Sequence, residues 1–172
     1  GNVATQNSVM CDRYKAAGFT LFGQTTSPEF GLTTTTESLL CGATVNPWDT
    51  SRTSGGSSGG ASATVAAGVI PMAHASDGGG SIRIPAGCTG LFGMKPTRGR
   101  TPMGPATTEG WNGQSTVHAV SRSVRDNAAL LDATHGREIG SRYVAPEPDS
   151  TFLSALDRDP SSSVAQRRLA RL

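Results

Sequence analysis

Between Gly55 and Gly99 the chain reads GGSSGGASATVAAGVIPMAHASDGGGSIRIPAGCTGLFGMKPTRG, and two of its turns, GGSSGG and DGGGS, each set a serine at a glycine-dense bend. Glycine at this density outside a repeat marks backbone that takes positive φ angles or lets a ligand approach closely. In the second turn, Asp77 to Ser81, consecutive glycines at the end of a strand can aim several N–H groups at one point, as a developing oxyanion requires. Ser81 then stands as a nucleophile beside its own oxyanion donors. A serine hydroxyl attacks poorly until a base takes its proton, so an activating partner must lie within hydrogen-bond reach.

Three readings of that partner compete. A Ser-His-Asp triad would use Ser58, central in the G-x-S-x-G of Gly56 to Gly60, with His74, His118 or His135 as the base. The elbow that presents such a serine needs a strand directly before it, and DTSRTS does not read as one. A phosphate-binding loop would need Lys and Ser or Thr after Gly60, where Ala61 and Ser62 stand. The third reading pairs the two turns, with a serine of GGSSGG relaying the proton of Ser81 to a base further away. Cys88 has nothing around it to act as a base. Trp48 and Trp111 read as packing residues rather than a binding platform, and His74 as a packed or loop residue.

The elements that must position these turns alternate between helix and strand. Asn7 or Ser8 caps a helix with Val9, Met10, Tyr14 and Ala17 on one face, ended by Gly18. Phe19 to Phe22 reads as a buried strand, and residues 24–36 as a polar loop with a turn at Pro28. Residues 37–44 form a short irregular element, and residues 46–49 a turn that runs into the first glycine bend with no strand between. Ala61 to Ala67 is a small-residue helix stopped by Gly68, and Val69 to Ala75 a strand that delivers the second turn. Pro85 should break any continuation after Ile84. Val117 to Val120 reads as a strand. Ser121 or Ser123 caps a helix over about residues 124–133, with Val124, Ala128, Leu130 and Leu131 inward and Gly136 at its end. The alternation predicts an α/β layer architecture over residues 1–136. Residues 137–172 read as a weakly patterned, loosely attached tail, closing on QRRLARL with an amphipathic turn.

Composition limits the partners. The 172 residues carry a net charge of +2 with acids and bases interspersed, which leaves no electrostatic footprint for nucleic acid or an anionic membrane. Cys11, Cys41 and Cys88 are odd in number and widely spaced, against a disulfide framework or a clustered metal site. No apolar run approaches the roughly 18 residues of a membrane span, and the N-terminus has no signal-peptide pattern, so a cytoplasmic location is expected. The apolar fraction of 35% with 22 Gly and 10 Pro makes a loop-rich chain, suited to being a piece of something larger.

GGSSGG with its Ala-rich helix, SDGGGSIRIPA and GLFGMKPTRGR together resemble the signature region of the amidase signature family of serine hydrolases. YKAAGFTLFGQTTSPEFG, GATVNPWDTSRTS and HAVSRSVRDNAALLDAT are similar to flanking segments of that family, so the resemblance covers about residues 12–134. AHASDGGGSIRIPA is most similar to the bacterial branch that includes nylon-oligomer cyclic-dimer hydrolases. The resemblance implies a mixed central β-sheet flanked by helices, present in part. It implies amide hydrolysis through an acyl-enzyme, with a small-molecule amide as substrate and neither metal nor organic cofactor. It makes Ser81 the nucleophile and Ser57, 24 residues earlier, the bridging serine after a cis peptide from Gly56. Gly78, Gly79 and Gly80 become the oxyanion hole, and Ser58, Asp77 and Arg83 brace the loops.

The family's third catalytic residue is a lysine in a K-D motif far upstream. None of the 56 residues before Ser57 forms such a motif, and neither Lys15 nor Lys95, where the family has a structural lysine, is expected to replace it. The chain by itself is therefore expected to be poorly active. The competing reading is a non-catalytic fragment or pseudoenzyme whose exposed sheet edge invites association, and homo-oligomerisation stays open.

Overall fold

The computed structural model describes residues 3–159. The terminal QRRLARL stretch and its expected amphipathic turn lie outside them. Helix α1, Val9–Ala16, starts where Ser8 Oγ accepts the Cys11 N–H at 3.1 Å, and ends as Gly18 takes a left-handed φ of 85°. Two short antiparallel ribbons follow: β1, Glu37–Ser38, with β2, Gly42–Ala43, and β3, Val45–Asn46, with β4, Asp49–Thr53. Helix α2, Gly59–Ala66, leads to strand β5, Met72–Asp77, then helix α3, Arg83–Thr89, and strand β6, Phe92–Gly93. Strand β7, Thr116–Ser121, and helix α4, Val124–Thr134, complete the regular elements apart from single 3-10 turns at Glu29–Gly31 and Ser154–Asp157.

Strand β7 is central, in the order β5-β7-β6, and both of its pairings are antiparallel. Successive side chains of a strand point to opposite faces, and β7 uses this to serve two cores. Val120 packs with Ala61 and Val65 of α2, Ala75 of β5, and Ile82 and Ala86 beside and within α3. Its neighbour Ala119 packs with Met10 and Tyr14 of α1 and Leu130 of α4. The chain is thus an α/β layered structure with α2 and α3 on one side of the sheet and α1 and α4 on the other. Half of the first core is alanine, which lets α2 lie close against the sheet.

The structure corrects several expectations. The sheets of the described residues are antiparallel and small, in place of one mixed central sheet. Phe19–Phe22 forms no regular element and joins no ladder there; Leu21 and Phe22 are exposed, and the segment lines an open apolar cavity of about 440 Å³ with Ile70, Met72 and Leu130. A strand, β4, does precede the first glycine turn; four of its five side chains are exposed, so it shows no apolar alternation. Strand β5 begins at Met72 rather than Val69. Pro85 does not stop a helix but sits at the third position of α3, in the first turn, where a missing N–H breaks no intrahelical bond. Val124 faces outward, while Ala128, Leu130 and Leu131 are buried.

The segment after Gly136 is tied down along its described length. The Glu138 carboxylate accepts the Met103 and Gly104 N–H groups at 3.0 and 2.7 Å, and the Ala145 N–H donates to Gly99 O at 3.3 Å. Asp132 of α4 accepts the N–H groups of Phe152 and Leu153 at 2.7 and 2.9 Å.

Helix α4 ends on a cap supplied by α1. The Arg13 guanidinium donates to the carbonyls of Thr134, His135, Gly136 and Arg137 at 2.6–3.0 Å, filling acceptors that a helix C-terminus leaves open. Replacing Arg13 by Ala is expected to lower the unfolding free energy by about 2 kcal/mol in a denaturant titration, as loss of charge-assisted hydrogen bonds does. Arg13→Lys should recover only part, because an ammonium lacks the fork that spans these carbonyls. A loss under about 0.5 kcal/mol in the Ala variant would show the cap to be dispensable.

Candidate active site

The two serine turns meet at the C-terminal end of β5. The Ser58 N–H donates to the Ser81 carbonyl at 3.3 Å, and the Ser58 hydroxyl bridges both backbone groups of Ser76, accepting its N–H at 3.3 Å and donating to its carbonyl at 3.4 Å. Ser58 is therefore the clasp between the turns. Ser57, beside it, is buried, and the Gly56–Ser57 peptide is cis. Ser81 is half-buried.

The first turn is seated on a polar loop that the sequence marked only as a connection. A Cβ on Gly56 would lie 2.5 Å from Thr35 O, and one on Gly60 would lie 2.5 Å from the backbone of Thr26, so neither position has room for a side chain. Thr36, 1% exposed, donates its hydroxyl to Gly55 O at 2.9 Å and accepts the Gly59 N–H at 3.1 Å. It caps the start of α2 while holding both ends of the GGSSGG bend. Thr36 was missed from sequence because one threonine in a run of four carries no pattern. Gly31 from the same loop faces the Ser57 hydroxyl, since a Cβ there would sit 3.5 Å from Ser57 Oγ.

The second turn is organised by Asp77. Its fully buried carboxylate accepts the Gly80 N–H at 2.7 Å, the Ile82 N–H at 3.2 Å and the Arg83 N–H at 3.3 Å. The Arg83 guanidinium adds donors at 2.9 and 3.1 Å, and Lys95 Nζ lies 3.5 Å away. Burial pushes the Asp77 carboxyl up, but the donors from Arg83 and from the three amides outweigh it and hold its pKa at about 2. Asp77 in turn raises Arg83 above its ordinary value. Gly80 takes a φ of 132°, which turns its N–H to the carboxylate. That commits the Gly80 amide to the brace. Lys95 Nζ donates to Gly78 O at 2.7 Å, and because a trans peptide's C=O and N–H point oppositely, the Gly79 N–H is directed away from Lys95.

The candidate residues Ser57, Ser58, Gly56, Asp77, Gly78, Gly79, Gly80, Ser81 and Arg83 thus gather at one junction, whereas the three histidines are engaged elsewhere. His118 is buried with Nε2 2.7 Å from Asn127 Oδ1, and burial lowers its pKa despite the hydrogen bonds to Asn127. His74 Nδ1 is 3.0 Å from the Tyr14 hydroxyl, and His135 stands edge-on to Phe152. Lys95 braces the glycine turn. Neither tryptophan is packed in the core as expected: Trp48 is largely exposed, held by its Nε1 donating to Thr89 O at 2.8 Å, and Trp111 lies against the Gly78 backbone with its side chain largely exposed. Among the described residues no helix is long and apolar enough to cross a membrane.

Known proteins resemble this chain in sequence and in fold. The amidase family model matches residues 1–164. The chain is 44% identical over 164 residues to the 6-aminohexanoate-cyclic-dimer hydrolase of Paenarthrobacter ureafaciens, a match that takes in 94% of this chain and 33% of that protein. The structure of a 6-aminohexanoate cyclic dimer hydrolase superposes with a TM-score of 0.88 at 44% identity, over 92% of this chain and 33% of the other. A bacterial aryl acylamidase of the amidase signature enzymes gives a TM-score of 0.79 at 34% identity, over 89% and 31%. The chain spans about a third of the length of these relatives. With a family match across nearly its whole length and these likenesses in sequence and fold, the chain belongs to the amidase signature family, with part of that fold.

Proposed function

We propose that the junction of the two turns hydrolyses a carboxylic amide, linear or cyclic, through an acyl-enzyme on Ser81. The observation that carries this reading is the clasp of Ser58 on Ser81 and Ser76, which seats the buried Ser57 beside the glycine turn of Ser81. Ser81 Oγ attacks the carbonyl carbon and passes its proton to Ser57 Oγ, which passes its own to a base. The oxyanion is held by the glycine-turn amides that Asp77 leaves free, Gly79 foremost, with Gly78 and Ser81 beside it. The amine departs with the relayed proton, and water cleaves the Ser81 ester by the same route in reverse.

Lys95 is tied to Gly78 O and Asp77, and Lys15 is exposed on α1, so neither is assigned as the base. The reading places the base, the lysine of the family's triad, beyond the described residues. Without it the same junction is the non-catalytic alternative, a folded serine site lacking an acceptor for its proton. The amide hydrolysed by the cyclic-dimer relative suggests an unbranched aliphatic amide as the first substrate to assay.

Ser81→Ala in the full-length protein should lower amide turnover by at least about 10⁴-fold and abolish labelling by a fluorophosphonate, while Ser57→Ala should lose at least about 10²-fold. Labelling that persists in Ser81→Ala would sink the assignment. Thr36→Val keeps the shape but strands the Gly59 N–H and Gly55 carbonyl, and should cost about 1–3 kcal/mol of stability by calorimetry or denaturant titration.

Asp77 gives a pH signature. Its folded pKa lies below the ordinary carboxylate value, so the unfolded chain binds the extra proton, and stability rises with pH across that interval. The contribution is full above roughly pH 4 and is lost as the pH falls through about 2. The stability gap between wild type and Asp77→Asn should therefore be largest near neutrality and shrink between pH 4 and 2. A gap independent of pH would show that the charge of Asp77 is not what holds the turn.

A further inference from the structure

Trp111 occupies a place that core packing does not explain. The benzenoid side of its indole lies on the glycine turn, so close that a Cβ on Gly78 would be 3.0 Å from Cε3 and 3.2 Å from Cδ2 and Cζ3, and one on Gly79 would be 3.7 Å from Cζ3. Yet the residue is 57% exposed, which leaves most of its apolar surface in water. Its backbone is also in the left-handed region, with φ of 52° at Trp111, 53° at Asn112 and 76° at Gly113. A bulky residue adopts such a conformation only where the surroundings enforce it. Here the loop is closed by Gln114 N–H on Trp111 O at 3.1 Å and Ser115 N–H on Gly110 O at 3.0 Å. It rests on the Tyr143 ring beneath Gly113, over which Arg98 stacks at 4.8 Å.

The Gly78–Gly79 peptide is thereby held from two directions, by Lys95 Nζ on its carbonyl and by the indole against its glycines. We propose that Trp111 is a positioning residue for the oxyanion hole. It keeps the Gly79 N–H aimed at the reacting oxygen by denying the glycine peptide room to rotate, and it shields that hydrogen bond from water. The inference rests on Ser81 being the nucleophile. An N–H that wanders stabilises the ground-state amide little less than before but fails the tetrahedral anion, so the effect should fall on the chemical step.

The test uses the full-length protein with Trp111→Phe, Trp111→Leu and Trp111→Ala, and Ser81→Ala as reference. The readouts are kcat and KM on an aliphatic amide and the affinity for an alkylboronic acid, which forms a tetrahedral anion on a serine. Trp111→Ala should lose about 10- to 100-fold in both kcat and boronate affinity, with KM within about 3-fold, since displacing a donor costs less than deleting one. Trp111→Leu should fall between, and Trp111→Phe, which restores a flat ring, should stay within about 3-fold of wild type. Unchanged kcat in both Trp111→Ala and Trp111→Leu, or a loss confined to KM, would overturn the proposal and leave Trp111 a substrate wall or bystander. A wild type that shows no Ser81-dependent turnover or boronate binding would instead refute the amidase reading, and this inference with it.

Discussion

The junction depends on one buried carboxylate. Asp77 sits at the last position of β5, without access to water, and gathers three backbone N–H groups and the Arg83 guanidinium within 3.3 Å. A carboxylate buried without partners would protonate rather than stay charged, and its pKa of about 2 shows how far the donors overcompensate. The consequence is geometric. Because Gly80, Ile82 and Arg83 all turn their amides to one point, the chain bends from β5 into α3, and Ser81 sits in the bend between Gly80 and Ile82. The same bonds spend the Gly80 amide on structure, which in the proposed mechanism confines the donor role to its neighbours.

The layers around the sheet make that bend possible. Strand β7 pairs with β5 along its length, from Met72 opposite Ser121 to Asp77 opposite Thr116, so the end of β5 is fixed in register. On one face the core is built from Ala61, Val65, Ala75, Ile82, Ala86 and Val120, with three alanines among six residues. Small side chains bring α2 close to β5, and only at that distance can Ser58, at the N-terminal boundary of α2, reach both Ser76 and Ser81. The small-residue helix is thus a spacing device as much as a source of buried area.

What the sequence disclosed, and what it hid, follows from how local each constraint is. The Ser8 and Ser123 caps, α2 with its stop at Gly68 and the two serine turns were legible because each is set by residues within a few positions. Strand β4 was hidden because almost none of its side chains is buried, leaving no alternation to read. Phe19–Phe22 had the right composition for a strand but no ladder among the described residues, and a ladder is not a local property. Pro85 misled because its meaning depends on where a helix starts: the same residue that breaks an interior is harmless in the first turn. At the site, glycines pointed to the bends, but Thr36 and Trp111 lie 21 residues before Ser57 and 30 after Ser81, and nothing short-range announces that they touch those turns.

That remoteness has a physical logic. A glycine turn can take the conformation an oxyanion hole needs, but its flexibility means it cannot keep that conformation alone. In the proposed mechanism, side chains on the turn itself would compete with the substrate for space, so the rigidity is imported from elements that approach from outside. Thr35 and Thr36 do this for the first turn, from beneath, where the absence of a Cβ on Gly56 lets one backbone rest on another. Asp77, Lys95 and Trp111 do it for the second, through a carboxylate, an ammonium and a ring that each restrain a different part of the peptide. If the junction acts as proposed, such bracing orders it before substrate arrives, which is the condition under which hydrogen bonds to a transient anion lower the barrier rather than merely rearrange.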